Sequence, residues 1–300
     1  ANRAFAAQRS PRSPAGCCRL AASALVLCFC SAALIAERQV RPAKGKVMDR
    51  WKYFAIVHEQ HVYCNPLSEA KVDDLIALFA LPDEARVIDI ACGKAEFLVR
   101  TTRRWKCSAV GVDLSPYFVA DARAKVKAAG LESAIEIVES NGSEYGGKPS
   151  SFDAAVCLGA SWIWDGLEGT LRALSTWAKP DGLVVVGEPF WRSAPSVDHL
   201  EAAELTESSF GTHLGNIQTG LGLGLSLLHT IVSSEDDWDR YEGYQWCAAE
   251  RHSQRNPNDP DLPELMAKLR KARDHYLRWG RNEIGWAVYL FLKKSVAPVP

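Results

Sequence analysis

Neither a Cys-x-x-Cys pair nor a Gly-x-Gly-x-x-Gly turn occurs in this chain of 300 residues. The first absence removes the usual zinc and dithiol redox sites. The second removes the glycine cradle that a dinucleotide pyrophosphate needs. The glycine-rich LGLGL at 221–225 has no lysine after it, so it is no phosphate loop either. Apolar residues make up 47% and charged residues 24%, which excludes disorder, collagen and coiled coil. Acids are missing before Glu37. Residues 1–47 hold eight Arg and Lys against that single Glu, an excess of +7 in a chain of formal net charge −1, which leaves −8 for residues 48–300. An acidic body matches a phosphate backbone poorly, so no nucleic-acid partner is expected.

From Leu20 to Ala36 the chain is uncharged and mostly apolar. That run is short for a membrane helix, which needs ~20 residues. It reads as a signal peptide or anchor behind a basic start, or as part of an Arg/Ser-rich transit peptide. The chain opens on Ala1, and its first methionine, Met48, immediately precedes a folded-domain pattern. The expectation is a non-native or upstream extension over 1–47 and one domain over 48–300, with 48–81 as an N-terminal lid segment. Targeting or membrane anchoring through residues 1–36 is the alternative to a cytoplasmic location. Four of the nine cysteines fall in the tail, and the other five are scattered. Cys92 and Cys157 sit at apolar strands as small buried hydrophobes, so reduced thiols are expected. No feature specifies an oligomeric state.

After Ser68, Val72, Leu75, Ile76 and Phe79 recur at helical spacing. Short β-branched runs then alternate with helical ones. Strands are expected at 86–90, 108–113, 134–138, 152–158 and 183–188, with helices at 96–105, from Ser115-Pro116 to Gly130, and over 166–178 before the KPDG turn. Further on, 198–220 reads as helical, 225–232 as a sixth strand, and Ser234 with Asp237 as a capping box. Another helix follows Pro263, and 285–293 closes as a strand. Such alternation means βαβ units in a mostly parallel sheet, with ligands bound at the strand carboxyl ends.

The first strand ends in Asp89-Ile90-Ala91-Cys92-Gly93-Lys94-Ala95, and twenty residues beyond Gly93 the second ends in Asp113. A small-residue turn lets backbone approach a ligand. An acid at the next strand tip is placed to accept from ribose hydroxyls. The geometry therefore asks for a ligand that carries adenosine without a diphosphate.

These residues resemble the first motif of the class I S-adenosylmethionine-dependent methyltransferases, roughly D-x-G-C-G-x-G, with Ala91 and Ala95 where glycine is usual. Asp113 in GVDLS matches the ribose acid, ESNGS at 139–143 the adenine-contact loop, FDAAVCLGA the strand-four motif, and AKPDG the turn before strand five. The resemblance covers about 86–191 and, more loosely, the C-terminal strands. It implies an α/β fold, Rossmann-like and doubly wound, with a seven-stranded mostly parallel sheet and an antiparallel C-terminal strand. It also implies S-adenosylmethionine as cofactor, bound by Asp89, Ala91, Cys92, Gly93, Ala95, Asp113, Leu114, Asn141, Gly142, Leu158 and Gly159. Both turn alanines are small, so tolerance is expected, with slightly less room near the amino-acid part of the cofactor. The phrases HVYCNPLS, LGASWIW, GEPFW and SSEDDWDRYE look like a subgroup acting on small molecules.

Methyl transfer from a sulfonium needs alignment and, for some acceptors, removal of a proton. His58, His61 and Glu188 are the candidate bases. The simpler reading of the two histidines is a capping or surface role in the lid, and that of Glu188 a helix cap or salt bridge. Tyr63, Ser161, Trp162 and Trp191 are candidates for the acceptor pocket, with core or lid packing as the plain reading of both tryptophans. Asp89 is expected to brace its turn through backbone N–H groups more than to touch ligand. EDDWDRYE reads as a solvated helix face with Trp238 and Tyr241 docked, and His229 as a satisfied buried histidine. A small-molecule methyl acceptor is the leading expectation. Methylation of a protein, or a binding module without turnover because two turn glycines are alanine, are the alternatives.

Overall fold

The computed structural model describes residues 48–295, so the expectations placed on the 1–47 extension lie outside the described residues. Two helices lead in, α1 (Arg50–Val57), capped by the Asp49 side chain on Trp51 N, and α2 (Glu69–Ala77), capped by Ser68. Then β1 (Arg86–Ile90), α3 (Glu96–Trp105), β2 (Ser108–Asp113), α4 (Pro116–Ala128), β3 (Ile135–Glu139), β4 (Phe152–Leu158), α5 (Leu167–Trp177) and β5 (Ala178–Trp191) alternate. The C-terminal part adds α6 (Val197–Ala203), α7 (His213–Gly222), β6 (Leu225–Val232), α8 (Glu235–Arg255), α9 (Leu262–His275) and β7 (Ile284–Lys293).

The sheet has the order β3-β2-β1-β4-β5-β7-β6. The first five strands in that order pair in parallel, and β7 runs antiparallel between β5 and β6. This is the expected Rossmann-like, doubly wound, seven-stranded sheet. Its central strands are apolar on both faces because helices cover both. Val87, Val156 and Val185 point into the layer with α2 and α3, while Ile88, Ala155 and Val184 point into the layer with α5. Strand order reverses between β1 and β4, which opens a crevice at their carboxyl ends.

A third apolar cluster forms a cap over that crevice. Met48, Tyr53 and Val57 of the N-terminal segment pack with Ala249 of α8 and with Leu265, Met266, Leu269 and Ala272 of α9. Lys52 Nζ reaches Asp259 at 2.8 Å and Asp261 at 2.6 Å, tying α1 to the start of α9. The roof of the crevice is thus assembled from the two ends of the described chain.

Three local expectations need correction. His229 is exposed, because a register shift between Leu227 and His229 on edge strand β6 turns the side chain outward. Residues 198–220 are not one helix. Glu204 ends α6 in the left-handed region, and α7 restarts behind a Thr212 cap. The strand before β7 is also longer than 183–188, since Ala178 already pairs with Phe152 and the KPDG turn, with Asp181 at φ +59°, survives as an irregularity inside β5.

Candidate functional site

The crevice opens into a cavity of about 1080 Å³, its open mouth included, which is ample for a nucleoside. Its floor is the β1 turn with Asp89, Ala91, Cys92 and Gly93, the β2 tip with Asp113 and Leu114, Ser140 to Gly142 after β3, and Leu158 to Ala160 after β4. Trp51, Phe54, His58 and Tyr63 from the N-terminal segment and Tyr241 from α8 complete the wall.

Asp113 organises the floor. One carboxylate oxygen accepts from Gly93 N and the other from Ser115 N, both at 2.8 Å, which ties the β1 turn to the β2 tip. Burial raises its pKa, and the backbone donors of Ser115, Gly93 and Leu114 pull it back toward the carboxylate form. Each oxygen keeps a lone pair for a ribose hydroxyl. Asn141 Oδ1 accepts from Ser143 N at 3.1 Å, which aims the amide at the cavity edge beside the short 3-10 turn Gly142–Glu144. Gly142 has to be glycine, because a Cβ there would stand 2.4 Å from Ile90 Cγ2.

Asp89 departs from expectation. Instead of bracing its turn, it is 3% exposed with Oδ1 lacking any hydrogen-bond partner. Burial, with Asp113 nearby, holds its pKa well above the usual range. A buried carboxyl oxygen left unpaired at a cavity wall fits a cationic group, such as the amino group of an amino-acid-bearing nucleoside. The two alanines also acquire a physical meaning. Ala91 and Ala95 sit at φ +60° and +59°, both left-handed. What glycine would supply there is therefore backbone freedom more than room, and each alanine costs roughly 1 kcal/mol. Replacing either by glycine is expected to raise stability by up to about 1 kcal/mol in thermal or denaturant unfolding. Ala95 lies under the turn, fully buried, and does not line the cavity.

The lid histidines are buried, which overturns the surface reading. His58 is 3% exposed and His61 is 6% exposed. His58 Nδ1 donates to Phe54 O at 3.1 Å, and its Nε2 accepts from the Tyr241 hydroxyl at 2.9 Å, so both ring nitrogens are used. His61 Nε2 donates to Tyr241 O at 2.9 Å, while its Nδ1 has no partner. Burial lowers both pKa values, that of His61 to about 4. EDDWDRYE is solvated at Glu235, Asp236 and Arg240 with Trp238 and Tyr241 docked as expected, but its Asp237 and Glu242 are buried. Asp237, Trp238, Tyr241, Glu242 and Gln245 form a buried stripe of α8 under the cap.

Trp162 lines the cavity, but Ser161, Trp191, Glu188 and His61 do not. Trp191 is core. Its indole N–H donates to Glu207 O at 2.8 Å and its ring meets Phe210 edge-on at 4.7 Å. Glu188 is neither cap nor salt bridge. It is buried, takes a hydrogen bond from Ser161, leaves Oε2 unpaired, and has its pKa pushed up to about 8. Among residues missed by sequence reasoning, Lys94 stands out, since its Nζ donates to His58 O at 2.7 Å and also reaches Glu59 O and His61 O. A cation on the carbonyls just past the C-terminus of α1 fastens the lid to the β1 turn. Trp51, Phe54, Cys64, Phe118, Ile163 and Tyr241 are among the other lining residues missed. The cysteines of the described residues are all free. No group of His, Cys, Asp and Glu among the described residues could hold a metal, and no described helix is long and apolar enough to cross a membrane.

An open α/β sheet of this order, with an acid at the β2 tip and a crevice at the β1–β4 reversal, is the arrangement that binds a nucleoside at the strand carboxyl ends. Residues 87–182 match the family described as a methyltransferase domain. YjhP of Escherichia coli strain K12, an uncharacterized protein, is 28% identical over 249 residues, covering 82% of this chain and all of that one. A methyltransferase of Geobacter sulfurreducens, solved with S-adenosylhomocysteine, is 27% identical with a TM-score of 0.76, covering 83% of this chain and 99% of that one. One from Thiobacillus denitrificans, also with S-adenosylhomocysteine, is 29% identical with a TM-score of 0.75, covering 83% of this chain and all of that one. Residues 87–182 thus form a methyltransferase domain, and the described chain is similar along its length to S-adenosylmethionine-dependent methyltransferases.

Proposed function

We propose that the chain moves a methyl group from S-adenosylmethionine to a small-molecule acceptor. The observation that carries this reading is the pairing, in one cavity, of an anchored carboxylate at Asp113 with a buried, unpaired carboxyl at Asp89. Asp113 would hold the ribose hydroxyls, Asn141 the adenine amino group, and Asp89 the amino group of the methionine part, with Gly93 and the Leu158 to Gly159 backbone framing the sulfur end. When bound, the sulfonium supplies an already electrophilic methyl group. What remains for the protein is to align an acceptor in line with it and keep water out, and alignment of this kind supplies ~7–11 kcal/mol. The cap bears on acceptor size. Trp51, Phe54, His58 and Tyr241 roof the cavity from helices tied together by buried contacts and by Lys94, which favours a small molecule over a folded protein.

Calorimetry with S-adenosylhomocysteine, followed by a tritiated methyl-donor screen of a metabolite extract, tests the proposal. Binding and label transfer to small molecules are expected. Transfer only to protein, or binding without any transfer, would replace this reading by one of its alternatives. Asp89 adds a signature. Burial raises its pKa in the free protein and a cationic amino group favours the carboxylate, so binding below the raised pKa would release a proton. Affinity should rise with pH up to the free pKa of Asp89 and then level. The enthalpy should depend on the buffer's ionisation heat, and Asp89→Asn should abolish that dependence.

A further inference from the structure

Away from the cavity, two imidazole rings stand nitrogen to nitrogen. His199 of α6 and His275 at the end of α9 meet through their Nε2 atoms at 2.9 Å, with ring centroids 4.7 Å apart. His199 is fully buried, and its Nδ1 lies 2.5 Å from Glu283 Oε2. Glu283 also accepts from the backbone N–H and the hydroxyl of Ser196, the residue that caps α6. Trp279 stacks on the His199 ring at 5.9 Å, and Trp191 meets it edge-on at 5.5 Å. The pair joins two distant parts of the chain. One is the strap 192–212, which carries α6 and returns to Trp191 through Gly211 O; the other is α9, which helps to build the cap.

The protons of this pair can be counted. Against the cost of burial, hydrogen bonds from His199 and Ser196 hold the Glu283 carboxyl below its usual range. A carboxylate only accepts, so His199 Nδ1 carries hydrogen. With both rings neutral, His199 Nε2 offers a lone pair and His275 Nε2–H donates to it. One added proton reverses this bond without breaking it. His199 becomes an imidazolium balanced by Glu283, its Nε2–H donates, and His275 accepts with its own hydrogen on Nδ1. A second proton sets N–H against N–H and puts two like charges in contact. Burial, then His199 and Lys271, lower the His275 pKa to about 4, with Glu283 opposing. The other charged groups nearby in sequence are turned elsewhere. Asp198 and Glu201 of α6 are exposed, Asp274 pairs with Arg273, and Arg192 donates to the carbonyls of Ile284 and Ser233.

We propose that His199 and His275 form a proton-operated latch, which keeps α6 on α9 while the pair holds at most one proton and lets the strap 192–212 lift when a second arrives. What the strap covers is the end of β5, since Leu205 and Phe210 pack in one cluster with Trp191. Neither histidine lines the cavity, so the latch stands apart from the methyltransferase reading.

Hydrogen exchange on the full chain, read by mass spectrometry and corrected for the intrinsic pH dependence, tests the latch. A released His275 titrates near its ordinary 6.5 and the closed one near 4, so the opening constant of α6 should rise about 15-fold from pH 6.5 to 5. Strands β1, β4 and β7 should keep their protection. In His275→Gln, whose amide can still meet His199 but does not titrate, the rise in α6 should stay below about threefold. Nitrogen NMR of histidine-labelled wild type gives a second readout that needs no variant. At pH 6 the His275 ring should be neutral, where an ordinary histidine is mostly protonated. Unchanged exchange in α6, a rise shared equally by β4 and β7, an equal rise in His275→Gln, or a His275 that titrates near 6.5 in the closed protein would each overturn the inference.

Discussion

Replacing Asp113 by alanine is expected to weaken S-adenosylhomocysteine binding at least 100-fold, while the protein remains folded. Two charge-assisted hydrogen bonds to ribose are lost, each worth about 1.5–3 kcal/mol, and roughly 3 kcal/mol already corresponds to two orders of magnitude. A second cost adds to this. Gly93 N and Ser115 N both donate to this carboxylate, so its removal also frees the β1 turn from the β2 tip. Asp113→Asn keeps one oxygen acceptor and should fall between the two. Titration calorimetry gives the affinities, and circular dichroism the fold. A loss below about fivefold in Asp113→Ala would mean that the sugar is held elsewhere.

The second large effect is on stability above neutral pH. Glu188, in β5, and Glu242, in α8, are both buried, and burial pushes the pKa of each from 4.5 up to about 8. The Trp246 side chain offsets only part of that burial at Glu242. A carboxyl whose folded pKa is raised contributes stability that is complete below the unfolded pKa and is lost as pH rises through the folded one. Between about pH 4.5 and 6.5 this loss is opposed by the buried histidines His58, His61 and His275, whose pKa values are lowered and which favour folding as pH rises to 6.5. From pH 6.5 to 8 the two acids act unopposed. With about 1.5 units each at 1.36 kcal/mol per unit, the loss is roughly 4 kcal/mol. The melting temperature should fall by roughly 10 °C over that interval. In the Glu188→Gln, Glu242→Gln double variant the fall should shrink, and Asp89, whose pKa burial also raises, accounts for what remains. An equal fall in both proteins would mean that these carboxyls ionise freely in the fold.

The floor of the site was legible in the sequence and its roof was not, for physical reasons. The floor is made of strand tips, where chemistry dictates residue type. Asp113 must accept, Gly142 must clear Ile90, and strand ends are marked by β-branched runs that stop at small residues. The roof lacks such signals. In α1, RWKYFAIV is apolar on several sides because one face meets α8 and α9 while Trp51 and Phe54 face the cavity, so no single stripe appears. Only Asp49, the capping residue, announces that helix. In α8 the buried stripe is itself polar, with Asp237, Glu242 and Gln245 inside, and it imitates a solvated surface. The error at His229 has another origin, since a one-residue shift in an edge strand reverses which side chain faces out.

The cap joins α1 to α8 and α9, all three outside the stretch 87–182 that matches the methyltransferase family. On the proposed reading, donor binding is governed mainly by the floor and acceptor choice mainly by the covering helices. Descent can preserve the nucleotide floor while the covering helices are rebuilt for a new client molecule. Similarity across the floor then carries information about what gives the methyl group and none about what receives it. Exchanging α1, α8 and α9 as a unit between relatives is the natural unit of change in specificity, whereas exchanging any one of them would break the Lys52 contacts or the shared apolar seam that hold the roof together.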